Sequence, residues 1–188
     1  ESTMVSIMTH GYFPETGVES PYHAAYAAVI DSVAKVVCLG GRYNEARLSF
    51  QEYFPSIKQD PARMGLPVAA LLGAFRAQTD LGIACIGGKD SMSGSFDEID
   101  VPPTLVSFAV ATGDQERVTS RALQEGESHL YLSKLPVAED GTVDARRLKQ
   151  TFSAAQDLVV DGRILAISTI SRQGLLHTLL EMAFGNDV

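Results

Sequence analysis

Apolar residues recur at helical or strand spacing along most of the chain, and this pattern predicts its main elements. Between residues 20 and 39, apolar side chains return every three or four positions, as they do on one face of an α-helix. Ser20 is a favourable N-cap, and Pro21 suits the first helical position. Gly40 and Gly41 follow the last periodic residue, so we predict that the helix ends there.

Shorter apolar runs predict the strands and a second helix. Runs rich in β-branched and aromatic side chains predict strands at residues 5–12, 47–54, 83–86 and 104–112. A second helix is expected over residues 67–80, after an interruption at Gly65 and Pro67. Its predicted apolar face comprises Val68, Leu71, Leu72 and Phe75.

The last part of the chain has the pattern of a second α/β unit. Residues 113–128 are polar and charged, which indicates a boundary between units at residues 1–115 and 127–188. Strand and helix then alternate, with segments expected at residues 129–132, 144–162, 164–168 and 174–184. This order implies a helix-covered sheet with a right-handed crossover.

Composition narrows the function classes. The net charge is −8, which disfavours a general nucleic-acid surface, because backbone binding needs clustered Lys and Arg. No apolar run approaches the roughly 20 residues of a membrane helix, so no membrane partner is expected. The first residues lack the charged and apolar regions of a signal peptide. Cys38 and Cys85 stand in apolar contexts without metal-ligand spacing, which indicates reduced thiols and a cytoplasmic protein.

The densest candidate chemistry lies just after a predicted core strand, in Gly87-Gly88-Lys89-Asp90-Ser91-Met92-Ser93. In α/β proteins, ligands commonly bind at such strand ends. Two glycines let a ligand approach the backbone closely, Lys89 supplies a cation, and Ser91 and Ser93 can hydrogen-bond oxygen. Asp90 can take a proton or hold a metal. The pattern suggests a phosphate-bearing ligand, and the alternative is a polar hairpin loop that binds nothing.

The same stretch is not a Walker A loop. Gly88 stands where that motif requires Lys, and Lys89 is followed by Asp90 instead of a hydroxyl-bearing residue.

Four segments, in the same order, resemble one known family. They are Ser20-Pro21-Tyr22-His23, Phe50-Gln51-Glu52-Tyr53-Phe54, Gly87-Gly88-Lys89-Asp90-Ser91-Met92-Ser93 and Val101-Pro102-Pro103-Thr104-Leu105-Val106-Ser107-Phe108. Together they resemble phosphoribosylformylglycinamidine synthase, an amidotransferase-type ligase of purine biosynthesis. The similarity is to the second of its two synthetase-like modules, of the aminoimidazole ribonucleotide synthetase type. The chain is therefore expected to be a fragment of a longer protein.

This resemblance implies a fold, cofactors and partners. The implied fold is an N-terminal-type half-module with a mainly antiparallel sheet and helices, followed by the start of a C-terminal-type α/β half-module. The implied cofactors are ATP or ADP, and Mg²⁺. The expected partners are the first synthetase module and the glutaminase domain, and dimerisation is expected through the sheet. Cys38 matches no glutaminase motif and is not expected to be the nucleophile.

The resemblance also bears on residues outside the glycine-rich stretch. In many family members a Glu and an Asn, four positions apart, help to hold Mg²⁺, and here Asp31 and Lys35 occupy those places. The alternative for this pair is a simple i,i+4 ion pair, and Lys35 can contact phosphate but cannot ligate Mg²⁺. An Asp-rich loop of the family corresponds to residues 169–175, where Thr169 and Arg172 replace both acids. Either this half-site has degenerated, or Arg172 binds an anion there without metal.

Three further residues are candidates for lining a cleft. His23 lies in the first turn of the long helix, and Gln51 and Glu52 lie near the end of a predicted strand. For Gln51 and Glu52 the alternative is an ordinary solvated strand edge.

The implied reaction is the ATP-dependent conversion of formylglycinamide ribonucleotide and glutamine to the amidine. ATP activates the amide oxygen as an imidoyl phosphate and ammonia displaces phosphate, so catalysis rests on positioning and charge neutralisation. The alternative is a nucleotide-binding or structural module without turnover, which the residues at positions 35 and 172 favour. A selenophosphate- or thiamine-phosphate-type enzyme of the same superfamily is disfavoured by residues 50–54 and 101–104.

Overall fold

The structure, a computed structural model, describes residues 2–186. Its strands are β1 Met4–Gly11, β2 Arg47–Tyr53, β3 Cys85–Ser91, β4 Ser95–Phe96, β5 Ile99–Asp100 and β6 Thr104–Asp114. Its α-helices are α1 Pro14–Glu19, α2 Pro21–Cys38, α3 Pro61–Leu81, α4 Ala145–Val160 and α5 Leu175–Ala183. The predicted α/β class is therefore confirmed.

The main sheet has four strands in the order β1-β6-β2-β3. β6 is antiparallel to both β1 and β2, whereas β2 and β3 are parallel. The sheet is thus mainly antiparallel, as predicted. Because β1, β2 and β3 all run in one direction, their carboxyl ends, Gly11, Tyr53 and Ser91, lie along the same edge of the sheet. We refer to it as the carboxyl edge.

Helix α2 lies over one face of this sheet and fills the core. Ser20 caps it by accepting the backbone N–H of His23, and Pro21 occupies the first turn, as the sequence predicts. Val29, Val33 and Val36 are fully buried, because one flank of α2 packs on β1 and β6 and another packs on α3.

Helix α3 differs from its prediction in two respects. It runs without interruption through Gly65 and Pro67. Its buried face consists mostly of small residues, including Gly73, because the close approach to α2 leaves little room for large ones. The residues predicted as its apolar face point outward and are 45–66% exposed: Val68, Leu71, Leu72 and Phe75.

The second unit keeps its helices but not its predicted strands. Helices α4 and α5 match the expected segments, whereas residues 129–132 and 164–168 form no strand in the described chain. A strand needs a hydrogen-bonding neighbour, and neither run pairs with another in residues 2–186. Leu148 and Phe152 of α4 join the same buried cluster as α2. The division into units at residues 1–115 and 127–188 stays a prediction.

No helix within residues 2–186 has the length and apolarity needed to cross a membrane.

The contact between α2 and α3 gives a first testable prediction. A Cβ added at Gly73 would come within 2.0 Å of the carbonyl oxygen of Tyr22, whereas one added at Gly65 would meet nothing within 4 Å. We expect Gly73→Ala to lower the free energy of unfolding by about 1–3 kcal/mol, because the helices must move apart. The matched Gly65→Ala variant should be about 0.5–1 kcal/mol more stable than the wild type. Urea unfolding measures both, and equal effects of the two substitutions would contradict this packing.

Candidate functional site

The candidate residues gather along the carboxyl edge, in two groups. Asp31, Lys35 and Arg172 lie near the end of β1, and we call them the β1 group. Lys89, Asp90 and Ser91 belong to β3 and form the β3 group. Three strand spacings of about 4.8 Å separate β1 from β3, which places the groups roughly 14 Å apart. One phosphate cannot contact both groups.

The prediction that the glycine-rich segment forms a loop is wrong, because most of it is a strand. Gly87 to Ser91 form strand β3, at the edge of the sheet and parallel to β2. In a strand, successive N–H groups point to opposite sides, so they cannot converge on one phosphate as they do in a loop. Gly88 is needed for another reason, because a Cβ there would come within 2.5 Å of the carbonyl oxygen of Phe50.

Alternation along β3 separates its polar side chains. Gln51 pairs in register with Lys89, and Glu52 pairs with Asp90. Lys89 therefore points to the open face of the sheet, opposite to Asp90. The Gln51 amide donates to the backbone carbonyl of Lys89 at 3.0 Å, whereas Nζ of Lys89 reaches only the carbonyl of Asp90, at 3.4 Å, among the described residues. The ammonium of Lys89 is thus available to a ligand. Ser93 is exposed in the turn that follows β3.

Asp31 and Lys35 form a simple i,i+4 ion pair, which was the alternative to a role in holding Mg²⁺. Nζ of Lys35 lies 2.6 Å from Oδ2 of Asp31 and donates to the carbonyl oxygen of His10 at 2.9 Å. The contact with His10 fixes this pair at the end of β1. Because the Asp31 carboxylate already has a cation at hydrogen-bonding distance, these residues do not fit the Mg²⁺ that the resemblance implies.

Arg172 reaches the same end of β1 from the second unit. Its guanidinium lies 2.6 Å from Oε2 of Glu15 and 4.9 Å from the ring centre of Tyr12. Glu15 is exposed, so an anionic ligand could exchange with it at the guanidinium. Arg172 and Lys35 place two cations near β1, and no acid stands at Thr169.

His23 makes a structural contact. Its Nε2 lies 2.6 Å from the carbonyl oxygen of Asp140 and must donate there, and its Nδ1 forms a 2.7 Å hydrogen bond with the hydroxyl of Ser20. The ring thereby ties the start of α2 to the turn before α4. Tyr26, one turn further along α2, donates to Asp80 and accepts from the N–H of Val143, which strengthens the same junction.

Glu52 is the most unusual residue of the site. Its side chain is 1% exposed, and neither carboxyl oxygen has a hydrogen-bond donor among residues 2–186. Burial first, and then the adjoining Asp90 carboxyl, raise the pKa of Glu52 to about 8. The solvated strand edge proposed as its alternative is therefore wrong. Its position could have been read from the sequence, because Leu48, Phe50, Glu52 and Phe54 alternate on one side of β2.

The described residues show neither a larger metal cluster nor a reactive thiol. In residues 2–186, no group of three or more His, Cys, Asp or Glu side chains is arranged to hold a metal ion. Burial raises the pKa of Cys38 to about 12, so its thiolate is not available at neutral pH. Two surface depressions lie elsewhere, one beside Tyr43 and α4 and one between Arg42 and Arg117.

The buried Glu52 carboxyl predicts how stability depends on pH. Unfolded Glu52 loses its proton near pH 4.5, whereas native Glu52 keeps it until about pH 8. The free energy of unfolding should therefore fall as pH rises from 4.5 to 8, by on the order of 1 kcal/mol per pH unit, and then level off. Glu52→Gln keeps the shape but cannot titrate, so this part of the dependence should disappear.

Urea unfolding of the two proteins at pH 5.5 and pH 7.5 measures this difference. Glu98→Gln, at an exposed position in the nearby hairpin, is the matched control and should behave as the wild type. An unchanged pH dependence in Glu52→Gln would show that Glu52 is ionised in the native state.

The chain is similar to several solved structures but to no family model. No family model matches the sequence. Among solved structures, the chain is similar to T. maritima PurL complexed with ATP, with a TM-score of 0.67, 16% identity, and coverage of 98% of this chain and 29% of that one. It is also similar to phosphoribosylformylglycinamidine synthase II from Thermotoga maritima, with a TM-score of 0.61, 16% identity, and coverage of 95% of this chain and 28% of that one. For T. maritima PurL complexed with FGAR, the TM-score is 0.61 and the identity 17%, and the match covers 97% of this chain and 27% of that one.

The chain thus spans less than a third of the length of these proteins. At this identity the likeness shows the fold, and it agrees with the family that the sequence motifs resemble. Over nearly its whole length, this chain has the fold of part of PurL.

Proposed function

We propose that this chain is a nucleotide-binding part of an ATP-dependent ligase related to phosphoribosylformylglycinamidine synthase. The observation that carries the proposal is the fold likeness across 98% of the chain to a PurL solved with ATP, together with the ordered sequence motifs. In the proposed reaction, ATP phosphorylates the amide oxygen of formylglycinamide ribonucleotide. Ammonia from glutamine then attacks the imidoyl carbon, and inorganic phosphate leaves.

The β3 group supplies the proposed phosphate contacts. Lys89 lies on the open face of the sheet and has no acidic partner within residues 2–186, and Ser91, two residues along the strand, shares that face. Ser93 lies in the following turn, and Gly87 leaves open space beside β3. In a chain of net charge −8, such local cations are needed to attract a polyphosphate. Lys35 and Arg172 are proposed to contact a second anionic group near β1.

A module without turnover is the second candidate. The pairing of Asp31 with Lys35, and the presence of Thr169 and Arg172 in place of acids, favour it. In that case the nucleotide has a structural role, and its charge is met by Lys and Arg. Mg²⁺ stays part of the proposed cofactor set, but no step is assigned to it at Asp31.

The proposed partners are the remaining modules of the ligase, namely the first synthetase module and the glutaminase domain. The chain is similar to the solved structure of PurLQS from Thermotoga maritima, with a TM-score of 0.61 and 18% identity, and it covers 28% of that chain. The open face of the sheet exposes large apolar side chains, which support packing against a second sheet: Met4, Met8, Tyr53, Phe108 and Val110. The free thiols of Cys38 and Cys85 support a reducing, cytoplasmic location.

Nucleotide binding tests the proposed function directly. We expect calorimetric titration of ATP to show saturable binding to the wild type. Lys89→Ala should weaken this binding about tenfold or more, because hydrogen bonds to charged groups contribute roughly 1.5–3 kcal/mol. Lys134→Ala removes the same charge from an exposed position in the second unit and should bind ATP as the wild type does. Equal affinity in the two variants would exclude Lys89 as a phosphate ligand.

Association through the open sheet face can be tested with two exposed valines. Val110 lies on that face and is 41% exposed, whereas Val68 lies on the outer face of α3 and is 47% exposed. Sedimentation velocity should show dimers for the wild type and Val68→Glu, and monomers for Val110→Glu, since a buried unpaired charge opposes association. A monomeric wild type, or dimers that only Val68→Glu disrupts, would contradict this interface.

A further inference from the structure

Glu52 and Asp90 place two carboxyl groups side by side. They are register partners on the parallel strands β2 and β3, so their side chains leave the sheet on the same face. Neighbouring strands are about 4.8 Å apart, which brings the two carboxyl groups within reach of one ion. Glu52 is buried and Asp90 is exposed, so the pair has an enclosed end and an end open to solvent.

Within the described chain, no Lys or Arg side chain forms an ion pair with Glu52 or Asp90. The oxygens of Glu52 have no donor within residues 2–186. Lys89 is adjacent to Asp90 in sequence but points to the opposite face of the sheet. The register neighbour of Glu52 on β6 is Leu105, which offers only an apolar side chain. A buried carboxylate in such surroundings is costly unless it is protonated or meets a positive charge.

We infer that Glu52 and Asp90 form a binding site for one divalent cation of the Mg²⁺ or Mn²⁺ class. Mg²⁺ typically keeps several waters and is bound by one or two carboxylates together with substrate phosphates, and this pair supplies the two carboxylates, with water filling the other positions. The buried Glu52 supplies a ligand shielded from solvent, and the exposed Asp90 supplies the entrance. When the cation binds, it takes the place of the proton that Glu52 otherwise holds.

This site differs from the metal position that the family resemblance implies. That position involves Asp31, which lies near β1 and whose carboxylate forms an ion pair with Lys35. Asp90 had been a candidate metal ligand from the sequence alone, but the partner that makes a site is Glu52. The inference does not depend on the proposed ligase activity, because the cation is tested without nucleotide.

Calorimetric titration of Mn²⁺ into the EDTA-treated full chain tests the site. We expect one Mn²⁺ per wild-type chain and competition by Mg²⁺. Glu52→Gln and Asp90→Asn should each weaken binding at least tenfold, because each removes one of two charged ligands. Asp97→Asn, in the turn between β4 and β5, removes an exposed acid nearby and should bind Mn²⁺ within twofold of the wild type.

Three outcomes would overturn the inference. They are the absence of saturable Mn²⁺ binding to the wild type, an unchanged affinity in Asp90→Asn, and a loss in Asp31→Asn as large as the loss in Asp90→Asn. Circular dichroism checks that each variant is folded. If Glu52→Gln proves unfolded, Asp90→Asn decides the question, because Asp90 is exposed and its amide substitution leaves the core intact.

Discussion

The burial of α2 between the sheet and α3 is the interaction on which the rest of the structure depends. Val29, Val33 and Val36 have no exposed surface, and Gly73 lets the backbone of α3 approach that of α2. This sandwich holds β1 and β6 in place and sets the position of the ion pair between Asp31 and Lys35. Through His23 and Tyr26, the same helix anchors the turn that leads into α4. A change that moves α2 therefore alters the β1 group and the second unit together.

The strand geometry of β3 divides the chemistry of the candidate site between two faces of the sheet. Lys89 and Ser91 point to the open face, where a phosphate can approach from solvent. Asp90 points to the helix-covered face beside Glu52. Lys89 and Asp90 are adjacent in sequence but lie on opposite faces, because a strand places successive side chains about 180° apart. One can therefore contact an anion while the other contacts a cation. A loop, which the sequence suggested here, would have allowed Lys89 to neutralise Asp90.

Sequence reasoning succeeded where local signals and packing agree. Helix α2 has an N-cap, a proline at its first position and a periodic apolar face, and its predicted bounds nearly match the structure. For α3, periodicity identified the large residues, but tertiary packing selected the small ones, because only they permit close approach to α2. The paired glycines suggested a loop, yet Gly88 serves the contact between β2 and β3. The burial of Glu52 could have been predicted from the alternation of buried side chains in β2, if the alternation had been applied to a charged residue as well.

The two ends of the carboxyl edge have opposite electrostatic character, and this bears on how a nucleotide would be neutralised. Near β1, Lys35 and Arg172 are fixed cations held by Asp31, Glu15 and Tyr12. Near β3, the helix-covered side holds two carboxyl groups and no described cation. A phosphate near β1 can be met by Lys and Arg directly, without a metal ion. A phosphate near β3 meets Lys89 on one face, while a divalent ion between Glu52 and Asp90 would add positive charge behind the same strand. The cations near β1 and the acid pair near β3 are then two parts of one charge distribution.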